Sequence, residues 1–130
     1  MTGENEKTTM LQGRGISKYY GAKQQRRQVL HDVDIDVRSG ECLAVIGGSG
    51  SGKTPLTRVL LGLEHAEMGE ITYFGKPVQG EVAGELRRSC GLVFQSPFGS
   101  LDPRWRVGRS VAEPLRLHHP DWSQERIAER

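Results

Sequence analysis

The residues with the clearest chemical purpose form a glycine-rich segment at positions 47–54. Its sequence, Gly-Gly-Ser-Gly-Ser-Gly-Lys-Thr, fits the phosphate-binding pattern G-x-x-x-x-G-K-[ST]. Glycines let backbone N–H groups approach phosphate oxygens with no Cβ in the way. A helix that follows such a loop directs its positive end at the same anion. The segment therefore predicts a loop that holds the phosphates of a nucleotide.

Two side chains complete the predicted site. Lys53 supplies a point charge for the β- and γ-phosphates, and Thr54 offers a hydroxyl to a Mg²⁺ ion bound with the nucleotide. Pro55 is acceptable in a first helical turn, but it removes one backbone N–H where such groups face phosphate. We therefore expect weaker binding than with Ser or Thr at that position. The predicted cofactor-binding residues of the loop are Gly47, Gly48, Ser49, Gly50, Ser51, Gly52, Lys53 and Thr54.

The segments on either side of the loop have the patterns of a strand and a helix. Residues 42–46 are continuously apolar, which is typical of a strand covered on both faces in a parallel sheet. Beyond the loop, four apolar residues recur at the spacing of one face of an amphipathic helix. They are Leu56, Val59, Leu60 and Leu63. The order of strand, glycine-rich loop and helix is the one that positions a phosphate-binding loop.

Three other segments have strand patterns. Residues 33–37 alternate apolar and polar side chains, which predicts a strand with one wet face. Residues 71–74 predict a strand that the following Gly-Lys-Pro turns into a hairpin. Residues 91–94 predict another short buried strand. Residues 1–12 are polar and are interpreted as a disordered leader.

The helical patterns lie in the second half of the chain. Residues 79–88 have a weak helical pattern, and two clearer stretches follow at about 107–117 and 121–130. Pro120 separates these two stretches, and Asp121 or Ser123 is a candidate cap for the second one. Strands and helices alternating around a phosphate loop predict an α/β fold.

Composition argues against several classes of partner. The 130 residues carry 18 Lys and Arg against 16 Asp and Glu, a net charge of +2 that is too even to indicate nucleic acid or an anionic membrane. No apolar run approaches the ~20 residues of a membrane-spanning helix. Cys42 and Cys90 are too few for a disulfide scaffold and are expected to be small, buried apolar residues. The adjacent His118 and His119 are expected to be solvated rather than to bind a metal.

With these features placed, the chain from about residue 15 onward resembles the N-terminal half of an ABC transporter ATP-binding subunit. Residues 48–54 are similar to the family's phosphate loop, with Pro55 in place of its usual second hydroxyl residue. Residues 91–95, Gly-Leu-Val-Phe-Gln, resemble the strand that ends in the family's Q-loop glutamine. The resemblance implies that Gln95 contacts Mg²⁺ or the attacking water and relays the nucleotide state to a membrane partner.

The resemblance also assigns an adenine contact and a subfamily. Residues 17–21, Ser-Lys-Tyr-Tyr-Gly, resemble the segment whose aromatic residue stacks on adenine, with Tyr20 the better match and Tyr19 the alternative. Residues 94–104 resemble the corresponding loop in importers of dipeptides, oligopeptides and nickel, although Asp102 stands where Asn is expected. The sequence does not separate peptide from nickel.

The resemblance implies a particular fold and domain organisation. A P-loop NTPase core of the RecA-like type, with an N-terminal antiparallel β-subdomain, is expected over residues 13–95, and the start of a helical subdomain over residues 96–130. The sequence has no apolar run followed by Asp-Glu, no Ser-Gly-Gly-Gln signature and no switch histidine of the family. We therefore expect an incomplete domain that is marginally stable and has no ATPase activity alone, so whether the chain is itself an enzyme stays open.

The function implied by the resemblance is ATP binding that powers import of peptides or nickel. The implied cofactors are ATP and Mg²⁺, with Thr54 and Gln95 as metal contacts. The implied partners are integral membrane permease subunits and a second ATP-binding subunit, at the cytoplasmic face of the inner membrane, and no nucleic acid. Two alternatives remain open at this point: a small P-loop kinase, and a truncated fragment that binds nucleotide without hydrolysing it.

Overall fold

A computed structural model of the protein describes residues 8–130, which divide into two compact units at the boundary between Cys90 and Gly91. The expected leader lies mostly outside the described residues, since residues 1–7 are not among them. Its last part is different from the expectation, because a strand already begins at Thr9. Leu11 on this strand is buried in the core, which explains why these residues are ordered against the sheet.

The first unit is built on an antiparallel sheet of four strands. These are β1 (Thr9–Tyr20), β2 (Arg27–Arg38), β3 (Met68–Tyr73) and β4 (Lys76–Pro77), arranged in the order β2-β1-β3-β4. The strand predicted at residues 33–37 is confirmed as part of the longer β2. The predicted hairpin is confirmed too: Phe74 and Gly75 both have positive φ, +46° and +77°, as a tight two-residue turn requires.

Two helices complete the core of the first unit, α1 (Lys53–Leu60) and α2 (Gly80–Ser89). The predicted face of α1 is confirmed for three of its four residues, while Leu63 lies beyond the end of the helix and is half exposed. Helix α2 confirms the helical pattern of residues 79–88. One apolar cluster joins sheet and helices, and its buried members are Leu11, Ile16, Leu30, Leu56, Val59, Leu60 and Leu86.

Two predicted buried strands are wrong. Residues 42–46 and 91–94 have no regular secondary structure, and they are exposed, with Ile46 at 93% and Val93 at 94%. A parallel strand needs neighbours that accept and donate its backbone hydrogen bonds. Among the described residues the sheet contains four antiparallel strands, none of which pairs with residues 42–46. Because no neighbouring strand pairs with residues 42–46, Cys42 is exposed rather than buried as expected. Cys90 is half-buried beside the core.

The second unit, residues 91–130, contains a 3₁₀ turn at Pro97–Ser100 and two helices, α3 (Val107–His118) and α4 (Gln124–Ala128). Both helices were predicted, although α4 is shorter than the pattern indicated. Ser123, not Asp121, caps α4, because its hydroxyl accepts a hydrogen bond from the Arg126 N–H at 3.2 Å.

The connection between α3 and α4 is held by a stack of side chains. The imidazole of His119 lies parallel to the Trp122 indole, with ring centroids 4.0 Å apart and planes 9° apart. The guanidinium of Arg126 lies 4.1 Å from the same indole. His119 is therefore a packing residue, while His118 is exposed.

A pair of glycine substitutions tests the packing of the sheet. Gly69 has φ +98°, and a Cβ there would lie 2.6 Å from the carbonyl oxygens of Arg14 and Gly15, whereas Gly40 has φ +70° and open space around it. Gly40→Ala is expected to lower the free energy of unfolding by about 1–2 kcal/mol, the cost of the left-handed conformation. Gly69→Ala should lose roughly 1–3 kcal/mol more because of the clash. Equal losses in urea unfolding would contradict this packing.

Candidate functional site

The phosphate loop, residues 47–54, is a tight turn of backbone that is exposed over residues 47–51. The Ser51 N–H donates to the Gly48 carbonyl at 3.2 Å, and Gly50 has a φ of +78° that only glycine adopts without strain. A Cβ on Gly47 would overlap the Ser51 hydroxyl. Two of the predicted glycines are thus needed to fold the loop, one for its conformation and one for space.

Lys53 closes the loop on itself. Its ammonium group donates to the carbonyl oxygens of Gly47 at 2.5 Å and Gly48 at 2.7 Å, and to the Ser51 hydroxyl at 3.2 Å. These neutral acceptors are weaker partners for an ammonium than the oxygens of an anion. The ammonium charge of Lys53 therefore lies inside the turn of the loop. Phosphate oxygens can replace these carbonyl and hydroxyl oxygens as its hydrogen-bond acceptors.

The start of α1 presents backbone donors next to this charge. The first hydrogen bond of the helix runs from the Leu56 N–H to the Gly52 carbonyl at 3.0 Å, so the N–H groups of Lys53 and Thr54 precede it. Pro55 has no N–H, and α1 has no acidic residue in its first turn. This end of the helix is accordingly suited to an anion, with one donor fewer than a chain without the proline.

The last glycine of the loop anchors it to the sheet. Gly52 is buried with φ +99°, and a Cβ there would lie 2.7 Å from the Val29 carbonyl oxygen on β2. This part of β2 pairs with the end of β1, where Lys18 lies opposite Leu30. The loop and the Tyr19–Tyr20 end of β1 therefore contact the same stretch of β2.

The predicted adenine contact, Tyr20, has a fixed hydroxyl and an accessible ring. Its hydroxyl donates to one carboxylate oxygen of Glu64, and the side chain is 39% exposed. Glu64 also accepts a hydrogen bond from Arg58 of α1, at 3.1 Å. The hydrogen bond from Tyr20 to Glu64 raises the pKa of the Tyr20 phenol. The same bond, together with the hydrogen bond from Arg58, lowers the pKa of Glu64. Sequence reasoning missed Glu64, because no local pattern marks a contact between residues 44 positions apart.

Gln95 lies in the second unit, in the irregular segment before the 3₁₀ turn, and is exposed. Its role toward water or Mg²⁺ stays a prediction.

In the same unit, Asp102 accepts three hydrogen bonds from Arg104, from the backbone N–H at 2.9 Å and from the guanidinium at 3.0 and 2.9 Å. These bonds lower the pKa of Asp102 and fix the Pro-Arg turn.

Among residues 8–130, no group of three or more His, Cys, Asp or Glu residues is placed to hold a metal ion. Over the same range, no helix has both the length and the apolar character needed to cross a membrane.

Comparison with known proteins assigns the chain to a family. Residues 30–130 match the family described as ABC transporter, and this match includes the whole phosphate loop. The chain belongs to the ABC transporter family. The match favours a member of a transporter family over the small P-loop kinase that the loop alone left open.

The curated ABC relatives include importer subunits. The oligopeptide transport ATP-binding protein OppF of Haemophilus influenzae is 38% identical over 112 residues, which cover 84% of this chain and 34% of that protein. The nickel import ATP-binding protein NikE of Pseudomonas putida is 42% identical over 92 residues, 68% of this chain and 34% of that protein. The chain thus spans about a third of the length of these relatives.

Solved structures confirm the α/β cassette fold. The ABC transporter cassette MJ0796, described as dimeric, has a TM-score of 0.81 at 23% identity, over 92% of this chain and 53% of that one. The protein cbiO1 from Clostridium perfringens has a TM-score of 0.73 at 23% identity, over 94% of this chain and 47% of that one. At this level of identity the likeness concerns the fold alone.

The ionisation of Tyr20 tests the contact at the adenine end. Glu64→Gln keeps an acceptor for the phenol but removes the charge, so the pKa of Tyr20 should fall toward its ordinary value of about 10. The phenol's hydrogen bond is intact while the phenol is protonated and is lost as the pH rises through the raised pKa. Ultraviolet difference titration of phenolate absorbance measures this shift.

Glu70→Gln, which changes an exposed glutamate on β3, is the matched control and should leave the titration as it is. An unchanged curve for Glu64→Gln, or the same change in both variants, would show that Tyr20 does not donate to Glu64 in solution.

Proposed function

We propose that this chain is the nucleotide-binding part of an ATP-binding subunit that powers import of peptides or nickel. The observation that carries the proposal is the position of Lys53, whose ammonium group lies within the curve of the glycine-rich loop at the start of α1. Charge, backbone donors and a tight loop are brought together there, which is what the triphosphate of ATP requires.

The loop residues bind the phosphates by exchanging partners. Lys53 leaves the Gly47 and Gly48 carbonyls and donates to phosphate oxygens, which are stronger acceptors because they are charged. The backbone N–H groups at the start of α1 donate to the same anion. Because no acidic side chain lies in the first turn of α1, nothing there repels the phosphates. The loop thereby fixes the position and orientation of the triphosphate.

The site also fits Mg²⁺, because Thr54 is exposed at the start of α1 and its hydroxyl is a hard oxygen ligand of the kind Mg²⁺ prefers. When bound, Mg²⁺ would offset part of the negative charge of the β- and γ-phosphates. Thr54 would hold it there, while a contact of Gln95 with Mg²⁺ stays a prediction from the sequence. Tyr20 would stack its ring on the adenine, with its hydroxyl held by Glu64.

We assign ATP binding, rather than hydrolysis, to the 130 residues themselves. Hydrolysis needs a carboxylate on a second strand and a group that positions the attacking water. The sequence contains no apolar run followed by Asp-Glu that would supply them. We therefore propose that the residues described here provide the ATP-binding half of the catalytic arrangement.

The proposed partners follow from the relatives. MJ0796 is described as a dimeric cassette, and cbiO1 as part of the ABC transporter complex cbiONQ. On this basis we propose a second ATP-binding subunit and integral membrane permease subunits as partners, at the cytoplasmic face of the inner membrane. The importers among the relatives handle oligopeptides, nickel and, for GsiA of Salmonella paratyphi A, glutathione. Because these relatives have similar sequence identities to this chain, they support peptides and nickel equally as the transported substrates.

Substitution of Lys53 tests the proposed function. Lys53→Ala removes the charge in the loop, and ATP binding with Mg²⁺ should weaken about 10- to 100-fold, the value of a few charge-assisted hydrogen bonds. Lys76→Ala removes an equally charged but exposed residue of β4 and should leave affinity unchanged. Isothermal titration of both variants and the wild-type chain measures the difference. Equal affinities for Lys53→Ala and wild type would reject the loop as the ATP site.

Pro55 is expected to limit affinity through its missing N–H. Pro55→Ala restores the backbone donor alone, and Pro55→Thr restores the donor with a hydroxyl. Both should bind ATP more tightly by about 3- to 10-fold, since one hydrogen bond to a charged group is gained. Fluorescence competition with a labelled nucleotide gives the dissociation constants. Unchanged constants in both variants would show that this backbone position does not face phosphate.

A further inference from the structure

We propose that Glu64 is a positioning residue for the nucleotide base, which fixes the ring of Tyr20 and connects it to the phosphate-binding helix. This inference rests on the proposed function, because it concerns how the same site holds the adenine.

The contacts of Glu64 divide between its two carboxylate oxygens. One oxygen accepts from the Tyr20 hydroxyl and the other accepts from the Arg58 guanidinium at 3.1 Å. The Glu64 side chain is only 24% exposed. Since Arg58 belongs to α1, which begins at Lys53, the chain of contacts runs from the helix that holds the phosphate loop to the hydroxyl of Tyr20.

The backbone of Glu64 is held as well. The N–H groups of Leu63 and Glu64 both donate to the Arg58 carbonyl, at 2.9 and 3.3 Å, and these bonds close the end of α1. A carboxylate held through both its main chain and its side chain has little freedom to follow a moving partner. It is therefore a fixed point against which the Tyr20 ring is oriented.

Neighbouring bonds fix the end of β1 to the same segment. Lys18 donates to the His65 carbonyl at 2.6 Å, and the Tyr19 N–H donates to the Glu67 carboxylate at 3.0 Å. The backbone N–H of Glu67 donates to the Ser17 carbonyl at 3.0 Å. With the strand already held, the remaining freedom at Tyr20 is rotation of its side chain, and this is the motion that Glu64 restrains.

The cluster also distinguishes Tyr20 from Tyr19. The Tyr19 ring is half-buried and has the Arg26 guanidinium 5.0 Å from its centroid. Tyr20 is exposed, and the Lys18 ammonium is 5.5 Å from its ring. A cation lies near each ring, so the two residues differ in that Tyr20 is the more exposed and that its hydroxyl is bonded to Glu64. The geometry favours Tyr20 as the stacking residue.

The test compares a ligand that has a base with one that has none. ATP and inorganic triphosphate, each with Mg²⁺, are titrated into the full chain and its Glu64→Ala, Tyr20→Phe and doubly substituted variants. Without its hydrogen bond to Glu64 the Tyr20 ring is free to rotate, which weakens only its contact with the base. We expect each single variant to lose about 3- to 10-fold in ATP affinity, a part of the full stacking contribution, with triphosphate affinity unchanged.

Three comparisons make the result specific. The double variant should bind ATP no more weakly than either single variant, because both remove the same bond. Glu64→Gln, which keeps an acceptor for the phenol, should recover part of the ATP affinity. Asp36→Ala removes a carboxylate that is also paired with an arginine, Arg14 at 2.8 Å, but lies opposite Gln12 toward the other end of β1, and it should change neither affinity.

Equal losses for ATP and triphosphate, no loss for ATP, or losses that multiply in the double variant would overturn the role of Glu64. Tyr20→Phe removes a single oxygen atom, so it decides the matter even where Glu64→Ala does not fold. Failure of the proposed function has a different signature: the wild-type chain would not bind triphosphate, or Lys53→Ala would bind it as well as wild type. In that case this inference falls with it.

Discussion

The close passage of Gly52 against the Val29 carbonyl of β2 is the contact on which the rest of the site depends. Gly52 is buried, has a left-handed φ of +99° and leaves no space for a Cβ. It is also the residue from which α1 starts, since its carbonyl accepts the first helical hydrogen bond. This single position therefore sets where the phosphate loop ends, where the helix begins and where Lys53 is placed.

A second set of contacts holds the other end of the site. The segment after α1 is bonded to the last residues of β1, through Lys18, Glu67 and the pair of Tyr20 and Glu64. The phosphate loop and Tyr20, the proposed adenine contact, are consequently carried by one frame of β1, β2 and α1. A nucleotide bound along this frame would contact residues that are distant in sequence but are connected by direct hydrogen bonds.

The sequence predicted the parts of the fold that depend on local chemistry. The hairpin at residues 71–77 and the buried face of α1 are confirmed, since turn residues and helical spacing act over a few positions. The strands predicted at residues 42–46 and 91–94 are wrong, because a continuous apolar run becomes a buried strand only where other strands pair with it. The pattern of a run does not contain that information.

In the site too, features set by neighbouring residues could be predicted, whereas contacts between distant segments could not. The loop was predicted from its glycines and Lys53, because the phosphate-binding pattern is local to eight residues. Tyr20 was predicted as the adenine contact from the family resemblance alone. Glu64 could not be predicted, because its contact with Tyr20 exists only once β1 and the segment after α1 lie side by side. The start of β1 at Thr9 was missed for a similar reason, since its pairing partner is Arg38 at the far end of β2.

Amide chemical shifts test most directly whether residues 47–54 hold the phosphates of ATP. The ¹H–¹⁵N spectrum of the labelled chain is followed as ATP with Mg²⁺ is added. The account predicts saturable shifts centred on the amides of the loop and of Lys53 and Thr54, with Tyr20 also affected, and smaller changes at the distant β3–β4 hairpin. Saturation elsewhere with the loop amides unmoved, or no saturable shift at all, would contradict it.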